Sequence, residues 1–240
     1  PRREPPEQGH EAAQRPMSAR GRKNAAELSP PPPPNDVFRV YKTLLALLAN
    51  RGYAVPEEKR DLSFDEFKHS YVMNGAVELR MLNAEESSVW HRADDEDDKI
   101  MVYWAAGAKI GVQPIRVFYE SLTREKVRRG ILIVEGSISP FGKQALSAFR
   151  PQYLVEFFSY PELMFDITRH HFVPKHRVLS KAERELFFTR QKLDATQLPR
   201  MLPSDPVARY FGMEKGDVVE ITRPSVETDS YVTYRVVLPL

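Results

Sequence analysis

Ser139, Pro140 and Lys143 are the residues whose types and spacing best suit a contact with phosphate. Serine followed by proline is typical of a helix N-terminus, where the serine is the N-cap and the proline takes the first helical position. A helix that begins there leaves backbone N–H groups and the positive end of its dipole free at a loop tip, with Lys143 in its first turn. The segment is therefore a candidate phosphate contact, and the alternative is a helix cap without a ligand.

Two clusters of side chains invite a comparison with metal sites, but their spacing argues against metal binding. The acidic run at 94–98 places carboxylates on consecutive residues, which usually point apart and repel, so we predict a solvated connection between strands. His170 and His171 would point to opposite faces of an extended segment leading to His176, and the chain has no cysteine to complete a structural zinc site. We expect packing or hydrogen-bonding roles for these histidines, and neither a metal nor another cofactor.

Composition limits the class of protein. The chain has 240 residues, of which 42% are hydrophobic, and this is enough for two folded domains and a tail. The formal charge of +2 gives little long-range steering, so any contact with nucleic acid must come from a local patch. The lack of cysteine excludes disulfides and a cysteine nucleophile and fits a reducing intracellular compartment. The apolar runs are far shorter than the ~20 residues that span a bilayer, so we expect a soluble protein without a membrane partner.

Residues 1–35 are predicted to form a disordered, proline-rich tail. They contain six arginines or lysines, four glutamates and the proline run at 30–34, with almost no large apolar residue to offset chain entropy. We expect this tail to end in a stiff polyproline spacer. It is either a solubilising extension or a partner-binding tail.

The elements predicted over 36–165 alternate between helices and strands, which is typical of a three-layer α/β domain. In chain order they are a helix over 36–51 ended by Gly52, a helix opened by a capping box at Ser63, a half-buried strand through Val77, Leu79 and Met81, a strand over 100–105, a helix begun by Pro114 and ended by Gly130, a buried strand over 131–134, the helix that begins at Pro140, and a buried strand over 153–158.

Residues 166–240 are predicted to form a smaller, two-layer α/β domain. A capping box at Ser180 opens one helix, and Asp205 followed by Pro206 opens a short second helix that glycine at 212 ends. Two strands then follow, over 218–221 and 231–237, and the polar segment 227–230 joins them as a hairpin.

The motifs of this second part resemble a known family. LPR at 198–200, DPVARYFG at 205–212, KGDVVEITRPS at 215–225 and YVTYR at 231–235 closely resemble the fifth-largest shared subunit of the eukaryotic nuclear RNA polymerases, whose C-terminal domain is similar to a small subunit of the archaeal RNA polymerase. HFVPKH at 171–176 is similar to the family's H-x-L-V-P-x-H segment, with Phe172 at the position of the usual leucine. The resemblance is strong over 166–240 and weaker but collinear over 36–165, and it excludes 1–35.

The resemblance implies a non-catalytic structural subunit of a nuclear DNA-directed RNA polymerase. Residues 166–240 would be an assembly domain that docks on the largest subunit, beside the other shared small subunits. Residues 36–165 would form a jaw, similar in fold to restriction endonucleases, close to downstream duplex DNA and accessible to transcription regulators. The expected subunit-interface residues are His171, Pro174, His176, Arg200, Asp205, Arg209 and Tyr210.

Arginines dominate the basic side of the C-terminal domain, at Arg200, Arg209, Arg223 and Arg235. No aromatic stacking motif or recognition helix accompanies them, so we interpret them as protein-interface residues, for which the planar guanidinium is well suited. Fold support is the alternative role, above all for Asp205.

Catalysis is not expected. In the jaw, SPFG at 139–142 stands where the family has a T-P-S-A segment near DNA, and only the hydroxyl and proline pair is kept. Nucleases of the related fold need an acid-x-lysine pair at a strand end, but Glu135 is followed two places later by Ser137, and Glu57-Glu58-Lys59 lies in a predicted loop. The alternatives to a polymerase subunit are a free adaptor for transcription regulators and a metal-dependent nuclease.

Overall fold

A computed structural model describes residues 31–84, 88–149, 152–225 and 229–239. Within these ranges the chain forms two four-stranded sheets and two smaller two-stranded ones, with helices against the larger sheets. The predicted mixed α/β fold class is confirmed. None of the helices in these ranges is long and apolar enough to cross a membrane.

Most of the predicted tail, residues 1–30, lies outside the described residues. The end of the proline run is described, and there Pro33 has φ −56° and ψ 137°, close to the polyproline II conformation. Pro34 already belongs to the first helix, at the position where a missing N–H costs nothing.

The elements of the first part of the chain follow one another in short steps. They are α1 (Pro34–Asn50), α2 (Glu57–Arg60), α3 (Phe64–Tyr71), β1 (Val72–Met73), β2 (Ala76–Val77), α4 (Leu79–Leu82), β3 (Val89–His91), β4 (Lys99–Ala105), β5 (Lys109–Ile110), α5 (Val112–Arg124), β6 (Arg129–Val134), β7 (Ser137–Ile138), α6 (Pro140–Ala148), β8 (Leu154–Ser159) and α7 (Tyr160–Leu163).

The larger sheet of this part has the order β3-β4-β6-β8, and all its pairs are parallel except β3 with β4. Side chains alternate along β4, so Val102 and Trp104 join the core with α1, whereas Met101 joins Phe118 of α5 in a second core. Every residue of 131–134 on the central strand is fully buried, as a strand covered on both faces must be. The predicted three layers are present.

Local signals place several elements where the sequence predicts them. The capping box at Ser63 is formed, and the Ser63 N–H donates a hydrogen bond to the Glu66 carboxylate at 2.8 Å. Gly52 has φ +87° directly after the end of α1, a conformation that favours glycine. The acidic run at 94–98 lies between β3 and β4, as expected, and is mostly exposed.

Some boundaries were predicted wrongly. Leu79 and Met81 lie in the helical turn α4 and not in a strand, and only Val77 is in a strand. Pro114 is the third residue of α5, which ends at Arg124, while Gly130 lies within β6. Glycine is required there because a Cβ would lie 2.6 Å from the Phe118 ring, so the residue marks close packing instead of a helix end.

Two further expectations need correction. Glu57, Glu58 and Lys59 were predicted to lie in a loop, but they belong to the short helix α2. The strand β8 was expected to be buried, but it lies at the end of the sheet order and only Phe158 of its side chains is buried.

The second part of the chain contains the other four-stranded sheet. Its elements are a 3-10 turn (Ile167–Arg169), β9 (Lys175–Val178), α8 (Lys181–Gln191), a second 3-10 turn (Ala195–Gln197), β10 (Arg200–Met201), α9 (Pro206–Tyr210), β11 (Val218–Ser225) and β12 (Asp229–Val237).

This sheet has the order β10-β12-β11-β9, and only the pair β10 with β12 is parallel. The helix α8 covers Val218 and Val236 on one face of the sheet. The helix α9 covers Val219 and Ile221 at one end of the opposite face. The predicted hairpin of β11 and β12 is confirmed by their antiparallel pairing, which closes at Ser225 opposite Asp229. Residues 226–228 between them lie outside the described residues.

Candidate nucleic-acid contact and docking surface

The candidate phosphate contact lies where two helices begin side by side. The strands β5 and β7 are parallel neighbours, and α5 and α6 start directly after them. Ser139 is the N-cap of α6, because its hydroxyl accepts a hydrogen bond from the Gly142 N–H at 3.1 Å. Its own N–H donates to the Ile110 carbonyl at 2.9 Å. The cap is therefore fixed to the neighbouring strand, and both helix dipoles point their positive ends the same way.

Close packing holds this helix start in place. A Cβ on Gly142 would lie 2.7 Å from the Ile138 side chain and 3.2 Å from the Ile110 carbonyl oxygen, so this position needs glycine. Phe141 projects outward and is 74% exposed, and Lys143 is exposed in the first turn. The segment thus presents an ammonium group and an aromatic ring on a rigid support, and it serves as an ordinary helix cap at the same time.

The described side chains around the sheet β3-β4-β6-β8 form no arrangement that resembles a metal site. Among the residues that the structure describes, no group of three or more histidines, aspartates or glutamates is placed to hold an ion. Asp98, at the end of the acidic run, forms ion pairs with Arg92 at 3.2 Å and Arg129 at 3.6 Å. This carboxylate is thus used within the fold.

The predicted interface residues of the C-terminal part fall into four places. Pro174, His176 and Asp205 surround a pocket of about 200 Å³ on the face of the sheet that α9 only partly covers. Arg223 and Arg235 line the same pocket from β11 and β12. This set is called the arginine pocket below.

His176 is held in one state by its neighbours. Its Nδ1 lies 2.7 Å from the carbonyl oxygen of Pro174, which can only accept, so the imidazole donates from Nδ1. Burial lowers the pKa of His176, and although the Pro174 carbonyl and Asp205 oppose this effect, Arg223 and Arg235 add to it. The ring is therefore neutral near neutral pH.

Asp205 is the N-cap of α9, as the sequence predicts. Its carboxylate accepts a hydrogen bond from the Val207 N–H at 2.9 Å and so caps α9. One oxygen of the carboxylate is committed to the fold, and the side chain also lines the arginine pocket.

Arg209 and Tyr210 lie at the junction between the two sheets. Arg209 donates to the Phe157 carbonyl at 2.6 Å, pairs with Glu162 and lies 4.8 Å from the centre of the Phe158 ring. Burial alone would raise the pKa of Glu162, but hydrogen bonds from Arg209 and a backbone N–H outweigh it and hold the pKa below its ordinary value. Tyr210 is only 3% exposed. These contacts give Arg209 and Tyr210 a role in supporting the fold, which is the alternative to a role in a subunit interface.

Arg51 is a junction residue that sequence reasoning missed. Its side chain is 7% exposed and pairs with Glu156 at 2.7 Å, while it donates to the carbonyls of Tyr210 at 2.8 Å and Arg209 at 2.6 Å. A Cβ on Gly212 would lie 2.8 Å from the guanidinium, and Gly212 has φ +63°. No short-range pattern signals this contact, because the partners lie more than 100 positions apart along the chain.

The other two predicted residues are exposed in different places. Arg200 pairs with Val236 in the sheet and therefore lies on the face opposite the arginine pocket. The imidazoles of His170 and His171 lie 5.7 and 5.4 Å from the ring of Phe172, which is 84% exposed. The extended segment expected here is wrong, because the Val173 N–H closes a turn on the His170 carbonyl at 2.9 Å.

Comparison with known proteins gives matches over both parts of the chain. Residues 35–122 match the family model described as RNA polymerase Rpb5, N-terminal domain, and residues 165–237 match RNA polymerase Rpb5, C-terminal domain.

Curated relatives match across nearly their whole length. The chain is 35% identical over 202 residues (84% of this chain, 95% of the relative) to DNA-directed RNA polymerases I, II, and III subunit RPABC1 of Caenorhabditis elegans. It is 34% identical over 203 residues (84% and 96%) to the protein of corresponding name in Dictyostelium discoideum. It is 33% identical over 201 residues (83% and 94%) to DNA-directed RNA polymerase subunit 5-like protein 1 of Arabidopsis thaliana.

Proposed function

The chain belongs to the Rpb5 family and is a non-catalytic RNA polymerase subunit, and from this premise we propose that it docks on the largest subunit of a nuclear DNA-directed RNA polymerase. In the assembled enzyme it forms the lower jaw near downstream DNA. The observation that carries the proposal is the match over both parts of the chain, including the motifs that surround the arginine pocket.

Docking belongs to the C-terminal part, residues 166–240. Its exposed Phe172 and His171 stand beside Pro174 and the arginine pocket, and an apolar ring next to guanidinium groups is typical of the centre of a protein interface. Arg200 extends the surface to the other face of the sheet. Its further partners are the other shared small subunits, and the protein is located in the nucleus.

The jaw belongs to residues 36–165. Its DNA-proximal loop, Ser139 to Lys143, brings two helix N-termini, a lysine and an exposed phenylalanine to one edge of the domain. Backbone N–H groups and an ammonium group suit the phosphates of a duplex and read no base sequence. Nucleotide addition belongs to other subunits of the complex.

The first test is affinity purification of the tagged full-length chain from its own cells, followed by mass spectrometry. We expect two very large polymerase subunits and the small shared ones, and the identity of the large subunits will name the polymerase class. Recovery of the chain alone, or with transcription regulators only, would reject docking and favour a free adaptor.

The second test concerns the loop. Ser139→Ala combined with Lys143→Ala is expected to weaken crosslinking of the loop to downstream DNA several-fold in purified polymerase, without loss of assembly, because a cap and a phosphate-facing cation are removed. Ser180→Ala with Lys181→Ala is the matched control, since it removes a cap and an exposed lysine from α8. Equal crosslinking in both variants would reject the DNA contact.

A further inference from the structure

The arginine pocket contains a charge that the described chain leaves unpaired. The Nε atom of Arg223 is buried and has no hydrogen-bond partner among the residues that the structure describes. In the same ranges neither Arg223 nor Arg235 forms an ion pair with a carboxylate. Buried guanidinium N–H groups are costly unless they are hydrogen-bonded, so the site favours a ligand that accepts.

The charge of the pocket indicates what kind of group would fit. Arg223 and Arg235 contribute two positive charges and Asp205 one negative charge, while His176 is neutral, so the pocket has a net charge of about +1. A single carboxylate neutralises this charge, and its two oxygens match the planar fork of a guanidinium. A phosphate would bring a second negative charge close to Asp205, which disfavours it.

The size and rim of the pocket indicate how that carboxylate arrives. A volume of about 200 Å³ accommodates one side chain and not a helix or a nucleotide. At its mouth stands Phe172, which is 84% exposed, with Pro174 and Val173 beside it. An apolar rim around a charged floor suits an acidic side chain carried on a peptide segment that packs against the phenylalanine.

We propose that the arginine pocket binds the carboxylate of one aspartate or glutamate side chain on the polymerase subunit against which the C-terminal sheet docks. The proposal rests on the proposed docking function and names its anchoring contact. Arg223 and Arg235 hold the two carboxylate oxygens, His176 positions the Pro174 turn, and Phe172 covers the contact from water.

Competition for assembly tests this pocket. The full-length wild-type chain and a differently tagged variant are expressed together, and their ratio is measured in the purified polymerase and in the cell extract. Arg223→Gln and Arg235→Gln are each expected to lower the incorporated share about tenfold or more, because loss of one member of a buried charge pair leaves the other unpaired. Arg223→Lys keeps the charge but loses the fork, and we expect an intermediate share.

Arg190→Gln is the matched control, because it removes an exposed arginine of the same part of the chain from α8. Its incorporated share should equal that of the wild-type chain. If the wild-type chain recovers no large subunit, the proposed function fails; if it does, and both glutamine variants compete equally with it, only the pocket proposal fails. Thermal unfolding of each purified variant checks folding.

A photo-crosslinking phenylalanine analogue at position 172 decides the matter independently of any arginine variant. In assembled polymerase it should crosslink to a segment that has an aspartate or glutamate within a few residues. Replacement of that acidic residue by its amide should lower incorporation of the wild-type chain to the level of Arg223→Gln. A crosslinked segment without an acidic residue, or one whose contact depends on phosphorylation, would overturn the proposal.

Discussion

Protonation of His176 would place a third positive charge beside Arg223 and Arg235. Burial is the largest cause that lowers its pKa, the two arginines add to it, and the Pro174 carbonyl and Asp205 oppose it without prevailing. The pKa of the folded state therefore lies below the ordinary value of 6.5 that applies to the unfolded chain. The contribution to stability is full above that value and is lost as the pH falls through the folded-state pKa.

We therefore expect the urea concentration at the midpoint of unfolding to decrease as the pH is lowered from about 7 to 5.5. Few carboxylates titrate in this range. His176→Asn, which keeps a donor near the position of Nδ1 but does not titrate, should flatten this slope. His69→Asn changes an exposed histidine of α3 and should leave the slope unchanged. A slope that survives in His176→Asn would assign the pH dependence to other groups.

At the residue scale the sequence predicts contacts between near neighbours and misses contacts between distant ones. The caps by Ser63, Ser139 and Asp205 involve partners within three positions, so propensity alone locates them. Arg51 and Arg209 bind groups that only the folded chain brings near, and nothing in their local sequence distinguishes them from exposed arginines. The interface residues inferred from the motifs therefore include both exposed residues and residues that lie in the junction between the two sheets.

At the element scale a glycine can mark either the end of a helix or a point of close packing within a strand. Gly130 follows a helical pattern in the sequence, which predicts a helix end, yet it lies in β6 under α5, where Phe118 would be 2.6 Å and Leu122 3.3 Å from an added Cβ. Periodicity locates strands and helices but contains no information about how closely two layers approach. The turn α4 was missed for a related reason, because a four-residue helix is too short to show a helical period.

The contact between Gly130 and Phe118 gives a prediction for the packing of α5 on the sheet β3-β4-β6-β8. Gly130→Ala should lower the free energy of unfolding by about 1–3 kcal/mol, because the added Cβ would lie 2.6 Å from the fully buried Phe118 ring. Gly111→Ala is the control, since a Cβ there meets nothing within 4 Å, and we expect a loss below about 1 kcal/mol from the weaker N-cap. Urea unfolding of the two purified proteins makes the comparison. A smaller loss for Gly130→Ala than for Gly111→Ala would contradict close packing between β6 and α5.

At the scale of the whole molecule the two sheets are joined by a continuous junction. Ile167 and Phe211 pack against both the core beneath α1 and the core beneath α9. Arg51 and Arg209 cross this apolar contact from opposite directions. Arg51 pairs with Glu156 of its own part and donates to the carbonyls of Arg209 and Tyr210 in the other, whereas Arg209 binds both Glu162 and the Phe157 carbonyl of the other part. If the C-terminal part docks as proposed, we expect this junction to transmit its position to the first part of the chain. We therefore expect Arg51 to influence the position of the loop Ser139 to Lys143 from outside the proposed DNA contact.

Arg51→Lys tests this transmission because it keeps the positive charge but cannot satisfy Glu156 and two carbonyls together. We expect the free energy of unfolding to fall by about 1–3 kcal/mol, since buried acceptors lose their donors. Recovery of the large polymerase subunits should stay unchanged, because the arginine pocket is intact, while crosslinking of the loop at Ser139 to DNA should fall. Arg39→Lys, an exposed substitution on α1, the helix that Arg51 directly follows, should change neither property. Undiminished crosslinking in an Arg51→Lys protein of lowered stability would mean that the jaw is positioned by its own contacts in the polymerase, and the junction would then serve folding alone.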